Sequence, residues 1–387
     1  MPTFNKEKTD KLSKIDSVFR KIYLKPKNNK IYPLLSDIEV KEIVVLAFLL
    51  IGDTIMYIPA FKTIRKNFPN AGITIVCEKV TEIILKDQKL VDNFVIIDCP
   101  WIVKTNYSLQ NLLKFKSTLH IINGVEYDLA IDFRGDWRNI FYLNFINSKR
   151  KASFNFTGGE YMLTDVVKPI DGIDNFTEES LYLLEQLGMN VEINDRVPKL
   201  QLSSKSSTYL QSISSEFNSE GKFVVGIHPG SSQEVKKWEE CKYAELVLRL
   251  AKTNNIKFFI FEGPDENETV GKVIADLKDK NVDFLIVKKN LIEYIDILSL
   301  CNLVVCNDSG AAHIAGAFGV PTVVIFGNVD PKYIISKEAL HIRVISHKLI
   351  CKPCFQSFCK YGHRDCIKKI QVDEVYNTSM DLIGWKL

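Results

Sequence analysis

The 387-residue sequence has no long apolar run, and its longest, Ile43 to Ile51, falls far short of the ~18 to 20 residues that span a bilayer. No N-terminal stretch has the apolar region of a signal peptide, so a cytoplasmic protein is expected. A GxGxxG fingerprint and a GxxxxGK(S/T) loop are both missing, which argues against dinucleotide-dependent dehydrogenases and P-loop enzymes. There is no short-period repeat and no low-complexity tract. With 46% apolar and 25% charged residues, disordered and fibrous classes are excluded, and the length allows two domains. An excess of one charge is lacking too: the net charge is +3, so no global field argues for nucleic acid.

Charge is nevertheless unevenly spread. Residues 1–30 carry nine Lys and Arg against Glu7, Asp10 and Asp16, which leaves the rest of the chain slightly acidic. Ile15, Val18, Phe19 and Ile22 recur at helical spacing in this basic arm. It reads either as a contact for anionic phospholipid or as a solvated tail.

Farther on, apolar β-branched runs alternate with helical lengths: Glu42 to Ala47, Ala71 to Cys77, Phe94 to Ile97 and Tyr127 to Asp132. A helix from Ile51 to about Asn67 follows the first run. The helix from about Glu178 stops at Gly188, and the Pro198 segment marks a boundary. A second series then begins, with strands at Phe223 to His228, Lys257 to Phe261, Phe284 to Val287 and Val304 to Asn307, and an amphipathic helix over 238–252. The expected organisation is a basic extension (1–40) and two doubly wound Rossmann-like α/β domains facing a cleft (41–200 and 201–387).

The most informative stretch is Asn307-Asp308-Ser309-Gly310-Ala311-Ala312-His313, a polar turn between a strand and a small-residue helix. Its side chains are expected to cap the helix, and its glycine lets a ligand approach the backbone. The helix start suits a phosphate, although an ordinary β-α-β crossover would look the same. Gly52-Asp53 stands at the carboxyl edge of the first strand, where a carboxylate serves as general base or merely as helix cap. His228-Pro229-Gly230-Ser231 with Lys236-Lys237-Trp238 reads as a phosphate loop with a neutralising lysine, or as a basic pair beside a core tryptophan. Phe261-Glu262-Gly263-Pro264-Asp265-Glu266 is either a hydroxyl-binding strand end or a turn.

In order and spacing, Gly52-Asp53-Thr54-Ile55-Met56-Tyr57-Ile58-Pro59-Ala60, Ile227-His228-Pro229-Gly230-Ser231 with Lys236-Lys237-Trp238, and Asn307 to His313 together resemble glycosyltransferase family 9, the heptosyltransferases of bacterial surface polysaccharide assembly. The resemblance covers about residues 41–375. It implies a GT-B fold, with acceptor on the first domain and an ADP-heptose type donor on the second, and inverting, metal-independent transfer to a lipopolysaccharide core or other glycan. It casts Asp53 as the base and Lys236 as the holder of the donor phosphate. Gly230, Ser231, Asp308, Ser309, Gly310 and His313 would shape the donor site, with Asp265 near the nucleoside. Met56-Tyr57 departs from the His or Thr that the family often carries there, which leaves the acceptor open. Arg134 and Arg138 could grip a phosphorylated acceptor or simply be solvated. A protein acceptor and a non-catalytic nucleotide-sugar binder are the alternatives, and the presence of both Asp53 and Lys236 favours an enzyme.

Nine cysteines without a signal sequence argue for reduced thiols or metal ligands rather than a disulfide framework. Cys351, Cys354, Cys359 and Cys366 lie in a Lys-rich loop with His363. Four thiolates could hold a structural zinc or iron there, with reduced thiols the alternative, and catalysis is expected to require no cofactor.

Overall fold

The computed structural model describes residues 6–22, 32–102, 109–170, 172, 173, 175–202, 206–217, 219, 221–253, 255–336, 338–354 and 357–384. The chain divides into two compact units, Met1–Pro198 and Lys199–Leu387.

The first unit runs α1 (Lys6–Ile22), β1 (Glu42–Ala47), α2 (Ile51–Met56), α3 (Ile58–Asn67), β2 (Gly72–Cys77), α4 (Lys79–Leu85), β3 (Asn93–Ile96), α5 (Leu109–Ile122), β4 (Tyr127–Asp132), α6 (Trp137–Asn144), β5 (Ser148–Phe154), β6 (Asp165–Val167) and α7 (Phe176–Gln186). Its strands form one parallel sheet in the order β3-β2-β1-β4-β5-β6. β1, β2 and β4 are buried along nearly their whole length, as expected of parallel strands with helices on both faces. The order reverses between β1 and β4, so the loops after these two strands splay apart at the carboxyl edge.

The second unit repeats this plan with α8 (Ser206–Glu216), β7 (Phe223–His228), α9 (Glu240–Leu250), β8 (Ile256–Phe261), α10 (Asn267–Leu277), β9 (Phe284–Val287), α11 (Leu291–Leu298), β10 (Leu303–Asn307), α12 (Gly310–Ala317), β11 (Thr322–Ile325), β12 (Ile342–Ile345), α13 (Asp365–Lys368) and α14 (Val372–Gly384). The order is β12-β11-β10-β7-β8-β9, again parallel, with the reversal between β7 and β10. Val225, Ile227, Phe258, Val305 and Val323 from the sheet join Trp238, Val247 and Val375 from the helical layer in its core.

Three details differ from the sequence pattern. The helix expected over 51–67 is two helices, because Pro59 has no N–H to give Ile55 and the ladder breaks at Tyr57. Thr177 Oγ1 donates to the neighbouring Met56 carbonyl at 2.8 Å. β5 has no apolar signature, since Lys149, Arg150 and Lys151 interrupt it. Arg150 is buried all the same, paired with Asp165 and donating to the Pro33 carbonyl at 2.7 Å. Nor is the arm at residues 10–21 a loose tail: α1 packs on the first unit through Leu12, Asp16 and Phe19. Among the described residues no helix is long and apolar enough to cross a membrane.

Glu78 follows β2 and is buried at the carboxyl edge, accepting the Cys99 N–H at 2.6 Å. Burial pushes its carboxyl up to about 7 from an ordinary 4.5, the Cys99 N–H opposing this and Asp98 adding to it. The folded chain therefore binds this proton more tightly than the unfolded chain. The resulting stability is fully present below about pH 4.5 and is lost as pH rises through about 7. Urea unfolding at about pH 5 and pH 8 should show Glu78→Gln reducing the pH-dependent loss of stability by roughly 1 to 3 kcal/mol; an unaltered pH dependence would contradict the assignment.

Candidate functional site

In the first unit the reversal point joins Asp53 to Arg134. Asp53 lies in the first turn of α2, whose N-cap, Leu50, has no side chain able to bond the helix start. Arg134 follows β4, and its Nη1 stands 3.2 Å from Asp53 Oδ2, each group about a quarter exposed. Burial opposes the charge on Arg134, but Asp53 foremost, then Tyr57 and Asp136, hold the guanidinium firmly protonated. Tyr57 is buried beneath the pair and stacks on Phe133 at 5.3 Å. The loop after β4 is fixed from below by Asp132, whose buried carboxylate accepts from Gly135 N, Asn139 Nδ2 and Ser153 Oγ at 2.8–2.9 Å. Arg138 is occupied differently: Asp136 takes it in a two-pronged bond, with its guanidinium 5.3 Å from the Trp101 ring. Of the two arginines, Arg134 is the one against the candidate base.

In the second unit, Asn307 organises the equivalent edge. It is fully buried at the end of β10. Its Nδ2 donates to the carbonyls of Pro229 (2.7 Å) and Gly230 (3.2 Å), and its Oδ1 accepts from Trp238 N and Tyr243 OH, both at 3.0 Å. One side chain thus fixes the loop after β7, the start of the next segment and a core tyrosine. Lys236, in a short turn before α9, reaches across the reversal point to Asp308, with Nζ 2.6 Å from Oδ2. The contact is a close ion pair rather than an aligned hydrogen bond.

The expected capping of α12 does not occur. Ser309 occupies the N-cap position without a side-chain bond, Asp308 turns to Lys236, and Asn307 is committed to the loop after β7. The helix starts with N–H groups that no capping side chain satisfies, and Ala311, Ala312 and Ala315 pack it tightly inward. Ser309 Oγ and Ser231 Oγ are buried and have no hydrogen-bond partner among the described residues. Two orphan hydroxyls, an ammonium and an uncapped helix start form an arrangement suited to phosphate oxygens. His313 stands half-buried in the first turn of α12, which Gly310 opens.

Asp265 is exposed in a left-handed turn, and the carboxylate turned toward the loop is its neighbour Glu266. Glu266 Oε2 accepts Gly263 N–H at 2.8 Å, and Oε1 lies 3.7 Å from His228 Nε2. A Cβ on Gly230 would come within 2.0 Å of this carboxyl group, so glycine is required for Glu266 to approach the loop. His228 is buried and bonded to Tyr294 OH at 3.0 Å; burial lowers its pKa below 6.5, leaving the ring neutral at neutral pH. Tyr294 is a partner that spacing does not single out; in the sequence Asn307 reads as part of a helix cap and Glu266 as the end of a strand-end segment, not as the groups that organise the loop after β7.

Cys351, Cys354 and Cys359 are half-buried free thiols in the loop after β12, and Cys366 is buried at the start of α13. Backbone N–H groups, that of Arg364 first, draw the Cys359 thiol below its ordinary value. Among the described residues no three His, Cys, Asp or Glu side chains are grouped to hold a metal ion.

Residues 116–364 match the family described as glycosyltransferase family 9 (heptosyltransferase). The chain belongs to that family. Lipooligosaccharide heptosyltransferase 2 of Campylobacter jejuni is 23% identical over 342 residues, covering 86% of this chain and 95% of the relative. Two solved structures share the fold. A family 9 glycosyltransferase from Veillonella parvula superposes with a TM-score of 0.73 at 19% identity, covering 89% and 97% of the two chains. The ADP-heptose lps heptosyltransferase II of E. coli does so with a TM-score of 0.70 at 19% identity, covering 89% and 99%. The two parallel six-stranded sheets with flanking helices are therefore those of a GT-B enzyme, and this family 9 member is a glycosyltransferase.

Replacing Asn307 by alanine leaves the Trp238 N–H and two loop carbonyls without their partner in the interior. A loss of roughly 2 to 4 kcal/mol in urea unfolding is expected, and a loss under about 0.5 kcal/mol would mean that the loop holds itself.

Proposed function

We propose that the chain transfers a heptose from an ADP-activated donor to a lipopolysaccharide-core or lipooligosaccharide glycolipid at the cytoplasmic face of the inner membrane. The observation that carries this reading is the charge pair at each sheet's reversal point: Asp53 with Arg134, and Lys236 with Asp308. The activities named for the relatives from Campylobacter jejuni and E. coli support the sugar and the class of acceptor.

The second unit binds the donor. Lys236 exchanges Asp308 for the diphosphate, and the Ser231 and Ser309 hydroxyls and the α12 N–H groups donate to the phosphate oxygens. Glu266, beside Gly230, accepts hydroxyls of the nucleoside or sugar. The first unit binds the acceptor. Arg134 holds Asp53 through Oδ2, and Oδ1 takes the proton from the attacking hydroxyl.

As that O–H bond breaks, the acceptor oxygen bonds to the anomeric carbon from the face opposite the leaving group. The bond from that carbon to the phosphate oxygen breaks, and its electron pair leaves with ADP. Attack from behind inverts the anomeric configuration. The charge that grows on the departing diphosphate meets an ammonium and a helix start already in position, an arrangement that favours the transition state over bound substrate.

Asp53→Asn keeps the shape and the contact with Arg134 but has no basic oxygen. Turnover is expected to fall ~10²- to 10⁴-fold while ADP affinity stays within about twofold of wild type. Turnover within about threefold of wild type would remove Asp53 from the role of base.

A further inference from the structure

Among the described residues, α1 holds the first unit through Leu12, Asp16, Phe19 and Arg20. Leu12 and Asp16 are buried there, Asp16 Oδ1 accepting the Gly159 N–H at 2.9 Å. Phe19 meets the rings of Trp137 and Phe141 edge-on, at 5.0 and 5.5 Å. Arg20 pairs with Glu160 and lies 5.5 Å from the Tyr161 ring. These contacts fix the rotation of the helix and therefore what it turns outward.

The outward face carries Lys14 and Lys21, both exposed, between which Ile15 and Val18 are 42% and 56% exposed. Two apolar side chains flanked by lysines on a fixed helix match a surface with an anionic outer layer and an apolar interior. The surrounding sequence carries the same sign: residues 1–30 hold nine Lys and Arg against three acidic residues, of which Asp16 is turned inward. The position of the helix matters as well. Trp137 and Phe141, on which Phe19 rests, belong to α6, which begins three residues after Arg134. The helix thus lies on the element that follows the candidate acceptor site.

We propose that the outer face of α1 docks on an anionic phospholipid bilayer, with Ile15 and Val18 entering the headgroup boundary and Lys14 and Lys21 meeting lipid phosphates, so that the Arg134 side of the first unit is presented to a membrane-held acceptor. The use of this contact rests on the glycolipid reading above; the contact itself is measurable without any substrate.

The test is co-sedimentation of the full chain with vesicles of phosphatidylglycerol and phosphatidylethanolamine, against vesicles of phosphatidylcholine. Binding to the anionic vesicles is expected to be at least about tenfold stronger and to weaken steeply with added salt. Lys14→Glu with Lys21→Glu should reduce it about tenfold or more, and Ile15→Ser with Val18→Ser several-fold. All four positions are exposed, so thermal stability and transfer to a delipidated acceptor should stay at wild-type levels. Equal binding to both vesicle types, or variants that bind like wild type, would overturn the proposal. So would variants whose only change is a loss of self-association in sedimentation velocity, which would make the face a contact between copies. Absent vesicle binding with intact transfer sinks this inference alone, and vesicle binding without transfer sinks the transferase reading alone.

Discussion

A carboxylate and a cation are held together at the point where each sheet reverses its strand order, and the chemistry proposed for the chain depends on that constraint. The loops after β1 and β4 supply Asp53 and Arg134, and those after β7 and β10 supply Lys236 and Asp308. The two pairs are built in opposite senses. In the first unit the acid follows the first strand of the sheet and the cation follows the strand across the reversal. In the second unit the cation comes first. One fold plan thus places a carboxylate, the proposed base, after the first strand of one sheet and an ammonium, the proposed holder of phosphate, after the first strand of the other.

Each pair depends on buried polar groups beneath it. Asp132 fixes the turn that carries Arg134 by accepting three hydrogen bonds, and Asn307 fixes the loop leading to Lys236 with four. Burial makes such networks expensive to leave incomplete, so they confine their loops to one arrangement. The Asp53–Arg134 pair is about a quarter exposed, so solvent weakens its attraction, whereas in the Lys236–Asp308 pair the carboxylate is buried and the ammonium is the more open partner. A rigid support below an exchangeable ion pair suits a site that must hold its charges in register and still release them to a ligand.

Much of this was legible in the sequence because parallel strands leave near-continuous apolar runs and their carboxyl ends leave polar turns. The runs ending at Ala47, Asp132, His228 and Asn307 are the four strands that meet at the reversals. What spacing could not supply was partnership. Asn307 to Ser309 reads as a helix cap, yet the buried loop carbonyls claim Asn307, Lys236 claims Asp308, and Ser309 makes no capping bond. Arg134 and Arg138 read alike, but Asp136 takes one and Asp53 the other. Glu266 lies one residue beyond Asp265, and only the left-handed turn at Asp265 determines which carboxylate points to Gly230. β5 was hidden because the charge of Arg150 is neutralised by a residue on a later strand.

The central claim is that Lys236 is held in waiting by Asp308 for the donor diphosphate. Calorimetric titration of ADP into the wild-type chain and into Lys236→Met tests it most directly. Loss of a charge-assisted contact of about 1.5 to 3 kcal/mol predicts that ADP affinity falls ~10- to 100-fold, with AMP affected much less. ADP binding within about twofold of wild type would contradict the account.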